Sequence, residues 1–195
     1  MPVLCFGGSF NPIHHGHLIC SRAVAEAHGF DRVVLIPNFL PPHKPDSADL
    51  ADAEHRLKMC RLATAGDPLF ETSDVEVNRG GPSFTIDTAR ELAQAGWGKV
   101  HWLIGADMLL YLPKWRQPSE LLREVNFIVM ARPGWTIDWD ALPANFQALR
   151  ANVVQAPLID ISASDIRKRA AAELSINYLT APSVCEYIRE YSLYR

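Results

Sequence analysis

The stretch that most restricts what this chain can fold into is its beginning. Pro2 to Phe6 is an apolar run of strand length, and Gly7 and Gly8 stop it. Residues 15–28 then place Ile19, Ala23, Val24 and Ala27 at spacings that share one helix face, and Gly29 ends the helix. Buried strand, glycine turn and helix, in that order, open a parallel α/β unit. Such a unit holds its ligand just past the carboxyl end of the strand, where the helix also aims its positive end.

The alternation continues along the chain. Arg32 to Ile36 reads as a second strand, stopped by Pro37. Residues 37–51 contain Pro37, Pro41, Pro42 and Pro45 and read as a loop, because proline lacks a donor and disfavours helix before it. Residues 52–65 read as a helix. Ser83 is placed to cap another that runs to about Ala95, with Ile86, Ala89, Leu92 and Ala93 as its stripe. Val100 to Ile104 and Phe127 to Ala131 read as strands, and Val153 to Ala156 as a weaker one. Ser162 or Ser164 can cap a helix through Leu174, and a last helix carries Val184, Ile188 and Tyr191. Residues 132–150 look like a peripheral excursion. Strands alternating with helices predict an α/β fold, a doubly wound and mostly parallel sheet with helices on both faces. At 195 residues and 48% hydrophobic, the chain is expected to form a single domain around its own core, with a C-terminal helical part from about residue 160 to 195.

The turn after the first strand carries the chemistry. Gly7 and Gly8 let a ligand approach the backbone, and the amides of Ser9 and Phe10 can face a phosphate. His14 and His17, three apart near a helix start, can share one face and donate hydrogen bonds to phosphate oxygens as charge builds there. Gly16 between them leaves space for a base or a phosphate. There is no GxGxxG fingerprint and no Walker loop. Three histidines in four residues are also compatible with a metal site. The glycine turn between strand and helix favours phosphate.

The HxGH pattern behind a G[ST]F turn resembles the signature of the nucleotidyltransferase superfamily, which shares its Rossmann-like fold with class I aminoacyl-tRNA synthetases. The longer GSFNPIHHGHL of residues 8–18 is similar to that of the bacterial nicotinate-nucleotide adenylyltransferases. Ile161 to Arg167, ISASDIR, resembles the second superfamily motif, with Ala163 and Ser164 where serine and threonine are commoner. Ser162 and Ser164 at a helix start can accept a phosphate chain, and Arg167 one turn in can fork onto its oxygens. PNFLPPHK at 37–44, SFTIDT at 83–88, IGADML at 104–109, Lys114-Trp115, Arg132-Pro133-Gly134 and Leu193-Tyr194-Arg195 resemble further segments of that family in its order.

The resemblance implies adenylyl transfer from ATP to nicotinate mononucleotide, giving deamido-NAD and pyrophosphate in NAD biosynthesis. Its implied catalytic residues are His14, His17 and Arg167. ATP would be held by Gly8, Ser9, Phe10, His14, Gly16, His17, Gly105, Asp107, Ile161, Ser162, Ser164 and Arg167, with Gly105 and Asp107 on ribose hydroxyls. The mononucleotide would be held by Ser9, Lys44, Thr85 and Trp115, with Lys44 on its phosphate and Trp115 stacked on the nicotinate. Mg2+ is expected to arrive on the ATP phosphates, with no metal site of the protein's own. Read without the family, Trp115 is equally a core residue, Asp107 a helix cap and Lys44 a solvated loop charge. Nicotinamide mononucleotide and phosphopantetheine are the rival substrates, and a non-catalytic nucleotide-binding or metal-binding module is the rival class.

Charge and cysteines bound the partners. Lys plus Arg number 19 and Asp plus Glu 22, a formal net charge of −3, so no general attraction to nucleic acid is expected and any anion needs a local site. Cys5, Cys20, Cys60 and Cys185 form no CxxC pair. With no recognisable signal peptide, free thiols in the cytoplasm are expected. No apolar stretch approaches the ~20 residues that span a bilayer. A homo-oligomer is compatible with all of this, and the sequence does not choose the oligomeric state.

Overall fold

The structure is a computed structural model, and it describes residues 2–42, 49–131, 134 and 136–195. Six strands form one sheet: β1 (Val3–Gly8), β2 (Arg32–Pro37), β3 (Phe70–Thr72), β4 (His101–Gly105), β5 (Asn126–Ala131) and β6 (Val153–Gln155). Their order is β3-β2-β1-β4-β5-β6, and every pairing is parallel. The chain therefore winds outward twice from β1, once through β2 and β3 and once through β4 to β6. Between β1 and β4 the direction of winding reverses, which is where a sheet of this kind opens a crevice.

Strand side chains alternate between two apolar layers. Cys5, Val34, Ile36, Trp102, Ile104, Phe127 and Val129 face one layer, and Leu4, Phe6, Val33, Leu35, Leu103 and Ile128 the other. Both layers are buried, so the central strands read as continuous apolar runs. Helices α4 (Thr85–Leu92), α5 (Ala106–Leu109) and α6 (Pro118–Glu124) cover the first layer with Ile86, Ala89, Leu92, Leu109 and Leu121. Helices α1 (His15–His28), α2 (Ala53–Ala63), α7 (Ala163–Ala171) and α8 (Pro182–Glu190) cover the second with Val24, Met59, Cys60, Ile166, Val184 and Ile188. The doubly wound α/β reading holds, and the sheet is entirely parallel.

Several local readings need correction. Gly7 and Gly8 do not stop β1 but pair with Ile36 and Pro37 inside it. A side chain at Gly7 would lie 2.6 Å from Trp102 Cζ2, so the strand ends in glycine partly because the indole crosses it. The buried face of α1 is Cys20, Ser21, Val24 and Ala25, while Ile19 is exposed. Ser21 can be inside because its hydroxyl donates to the His17 carbonyl at 2.7 Å. Ser83 is not a cap: Phe84 takes that place, and Ser83 Oγ accepts from the Phe39 amide at 2.9 Å. Helix α4 stops at Leu92 and passes into a wider turn, Ala93–Trp97, that breaks at Gly96. Helix α7 ends at Ala171, before Leu174. The excursion is not wholly peripheral, since Leu142, Phe146 and Leu149 enter the first apolar layer. Among the described residues, β3, α3 (Val75–Arg79) and α6 were not anticipated. Each is short and half-buried, without a sustained period.

Candidate nucleotide site

A cavity of about 310 Å3 opens over the carboxyl ends of β1 and β4, at the reversal in winding. Gly8 and Ser9 form one wall, Gly105 and Met108 another, and Phe84, Thr85 and Trp115 a third. Asn38 from the segment after β2 closes a side, and its amide donates to the Gly8 carbonyl at 3.0 Å. Trp115 is both core and wall: one part packs on the first apolar layer, edge-on to Phe127 with centroids 6.4 Å apart.

The histidine pair stands at the start of α1, beyond the Gly8–Ser9 wall along the chain, and neither ring is among the residues that line the cavity. His14 caps the helix, and its backbone amide donates to His17 Nδ1 at 3.2 Å. The two imidazoles are stacked, 3.7 Å between centroids and 27° apart. Phe10 meets the His17 ring edge-on at 5.2 Å and Phe6 at 6.0 Å, so the apolar layer supports the pair from below. Gly16 is needed for the pair itself: a Cβ there would lie 3.0 Å from His14 Nδ1. Phe10 holds a left-handed backbone, φ 45°, unusual for a residue with a side chain. Its buried ring anchors that conformation while the backbone of Ser9 and Phe10 forms the turn. The His15 amide donates to the Leu179 carbonyl at 3.0 Å, and the buried Thr180 hydroxyl to the Ile13 carbonyl at 2.7 Å. Two contacts from the C-terminal part thus hold the turn.

The second motif comes to the same place. Ser162 caps α7, and its hydroxyl accepts from the Asp165 amide at 3.1 Å and donates to the Asp165 carboxylate at 2.8 Å. Ser164 is exposed and Ile161 packs on the second apolar layer. Arg167 reaches back to the first motif, donating to the Asn11 carbonyl at 2.9 Å. Asp49 Oδ2 lies 3.8 Å from the same guanidinium. Gly105 lines the cavity, whereas Asp107 is exposed, with its carboxylate folded back over Gly105 at the start of α5. Lys44, Arg132 and Pro133 lie outside the described residues.

Three polar residues that sequence reasoning passed over assemble these walls. Asn11, buried, donates through Nδ2 to the Asp49 carbonyl at 2.8 Å and accepts at Oδ1 from the Ala51 amide and the Tyr194 hydroxyl. Burial pushes the Tyr194 phenol well above its usual range. Glu76, 1% exposed, accepts from Asn38 Nδ2 at 2.8 Å and from the Thr88 hydroxyl at 2.6 Å. Arg56, fully buried, donates to the carbonyls of Ala51, Ser9 and Phe39. Asn11 lay in plain view within the first motif. Arg56 and Glu76 carry no signal, since a charged residue in a helical stretch ordinarily reads as solvated.

The family profile described as cytidylyltransferase-like matches residues 5–169. The stacked histidines and the residues that line the crevice fall inside that match, and the chain belongs to this cytidylyltransferase-like family. Full-length relatives include two that carry one name. A protein of Roseiflexus sp. (strain RS-1), "Probable nicotinate-nucleotide adenylyltransferase", is 41% identical across 100% of this chain and 98% of its own. Another of that name, from Bacillus pumilus (strain SAFR-032), is 40% identical across 97% of this chain and 96% of its own. In fold, the chain is similar to the nicotinic acid mononucleotide adenylyltransferase of Plasmodium falciparum solved in complex with NaAD. The TM-score is 0.76 at 20% identity, covering 100% of this chain and 98% of that one.

Proposed function

We propose that this protein transfers the adenylyl group of ATP to nicotinate mononucleotide, releasing pyrophosphate and deamido-NAD, a step of NAD biosynthesis. The observation that carries the reading is a juxtaposition. A stacked histidine pair opens the helix that follows a glycine-ended strand, and the end of that strand lines a cavity walled by Thr85 and Trp115, in a chain 41% identical end to end to a protein of that name.

The phosphate oxygen of the mononucleotide attacks the α-phosphorus of ATP in line, the α–β bond breaks, and pyrophosphate leaves with the electron pair. No covalent enzyme intermediate is required, so catalysis rests on placement and on stabilising charge. In this reading His17 donates to the α-phosphate, and His14 and Arg167 hold the phosphate chain. Arg167 would exchange its bond to the Asn11 carbonyl for the ligand. Gly8, Gly16 and the amides of Ser9 and Phe10 form the floor. Gly105 and Asp107 take the adenylate ribose, and Ile161, Ser162 and Ser164 border the phosphates. Lys44 takes the mononucleotide phosphate, with Ser9 beside it, and Thr85 and Trp115 take the ring.

Among the described residues, no three of His, Cys, Asp and Glu gather as a metal-holding group, and no carboxylate lines the cavity. These residues do not fit a Mg2+ shell, and Mg2+ is assigned to the ATP it travels with. The burial of all four cysteines in the fold, with no CxxC pair among them, supports a cytoplasmic location. Among the described residues no helix is long and apolar enough to cross a membrane. The chain is taken to work as one nucleotidyltransferase domain, since both motifs meet across 156 residues in the Arg167–Asn11 bond. Incubation with ATP, Mg2+ and nicotinate mononucleotide should release pyrophosphate and form a dinucleotide in equal amounts. Pyrophosphate without dinucleotide, or neither, would refute the reading.

A further inference from the structure

Arg56 is fully buried, and among the described residues no carboxylate lies within 4.0 Å of its guanidinium. Charged groups are rarely buried unless paired with an opposite charge. Here the guanidinium is satisfied by backbone alone: Nε donates to the Ala51 carbonyl at 2.8 Å, Nη1 to the Ser9 carbonyl at 2.9 Å and Nη2 to the Phe39 carbonyl at 2.8 Å. Ser9 belongs to the turn between β1 and α1. Phe39 belongs to the segment that brings Asn38 and Pro41 to the cavity. Ala51 leads into α2 and donates its amide to Asn11, which accepts Tyr194 and whose carbonyl receives Arg167. None of the three acceptors lies in a helix or strand of the sheet, so nothing in regular structure fixes their relative placement. A rigid planar fork with donors at fixed angles can do so, and a lysine cannot.

The position of the charge matters as well. It lies against the turn to which anionic substrates are assigned, bonded to the Ser9 carbonyl, and burial pushes the guanidinium below its usual range. Asp52 and Glu76 favour the charge from outside ion-pair distance. Their compensation acts only from a distance, so an anion arriving at the turn adds to the stabilisation of this charge.

We propose that Arg56 is a positioning residue for the nucleotide site, setting the phosphate turn against the 38–42 segment and supplying beneath them a positive charge that the substrates' phosphates complete. The inference rests on the adenylyl-transfer reading, and two variants separate its parts. Arg56→Lys keeps the charge and loses the fork, and Arg56→Met keeps much of the volume and loses both. With ATP, Mg2+ and nicotinate mononucleotide, Arg56→Lys should lower kcat by about tenfold to a hundredfold, the cost of misplacing reactants by an ångström or less, with KM values within about threefold. Arg56→Met should lower kcat similarly and also raise both KM values by about tenfold or more, with a weaker salt dependence of KM. Folded variants with wild-type kcat and KM would overturn the proposal. So would failure of both to fold, because Arg56 would then serve the core and not the site. Wild-type protein that releases no pyrophosphate would instead refute the functional reading beneath it.

Discussion

His17 stands in a closer relation to its neighbours than its exposure suggests. Its ring lies against His14, and Phe10 and Phe6 support it from the apolar layer. A preorganised donor of this kind stabilises a developing phosphate charge by roughly 2–4 kcal/mol, so His17→Ala should cut kcat by about 30-fold to 1,000-fold. Far-ultraviolet circular dichroism should stay unchanged, since the ring faces a cleft; wild-type turnover in the variant would remove His17 from the mechanism. The cysteines make an opposite claim. All four are buried, and burial pushes the Cys5 thiol up to about 12, with Cys60 raised further. Only the thiolate reacts, and raising the pH from 7 to 9 stays well short of that value. Native protein should therefore show no fast-reacting Cys5 across this range and full labelling in denaturant, measured by thiol titration with peptide mapping. Rapid labelling of Cys5 at pH 8 would contradict its placement in the sheet.

Helix α1 shows where helix-forming and site-forming demands diverge. Glycine within a helix is less favourable than alanine by roughly 0.5–1 kcal/mol, yet Gly16 occupies its first turn. The reason is the His14 ring, which an added Cβ would meet at 3.0 Å for Nδ1 and 3.1 Å for Cε1. Gly16→Ala should therefore leave the melting temperature equal or slightly higher while lowering kcat by about tenfold, because the displaced ring belongs to the reacting geometry. A lowered melting temperature with unchanged kcat would reverse that assignment. The ends of α1 were legible in the sequence because a histidine turn and Gly29 mark them chemically. Its buried face was not, since Ser21 enters the core by bonding to the His17 carbonyl, and no periodicity of apolar residues records a satisfied hydroxyl. The same limit hid Arg56, whose three acceptors are carbonyls from segments far apart in sequence. Ser83 misled for a related reason: its hydroxyl serves the segment after β2, so a side chain with capping chemistry sits one residue before the cap. Motifs carried by consecutive residues were visible, and what tertiary contacts assemble was not.

At the scale of the whole molecule, the reversal of winding between β1 and β4 makes one crevice that, in the proposed reading, serves two ligands. The phosphate turn and histidines occupy its β1 side, and Thr85 and Trp115 wall the cavity that opens across to β4. The C-terminal part closes the arrangement through Thr180, Arg167 and Tyr194, each bonded to the turn at residues 11–13. This explains why motifs near opposite ends of the chain belong to one site. Trp115 is shared between cavity and core, so Trp115→Ala should weaken both candidate mononucleotides about equally, stacking being blind to the ring substituent, and should also destabilise the fold by roughly 3–5 kcal/mol at most. Parallel rises in KM for both, with a lowered melting temperature, are the expected result; a loss confined to one would assign Trp115 to selection.

The most direct measurement compares kcat/KM for nicotinate mononucleotide and nicotinamide mononucleotide under saturating ATP and Mg2+, read by pyrophosphate release. Backbone donors that bind the ring carboxylate offer no acceptor to the amide's protons. Burying those protons unpaired costs about 1–3 kcal/mol, and the lost charge-assisted bond adds a similar amount. The two costs together come to about 2 kcal/mol or more, so the predicted preference for nicotinate mononucleotide is at least about tenfold. Equal values, or a preference for the amide, would contradict the nicotinate assignment, and no pyrophosphate with either would contradict adenylyl transfer itself.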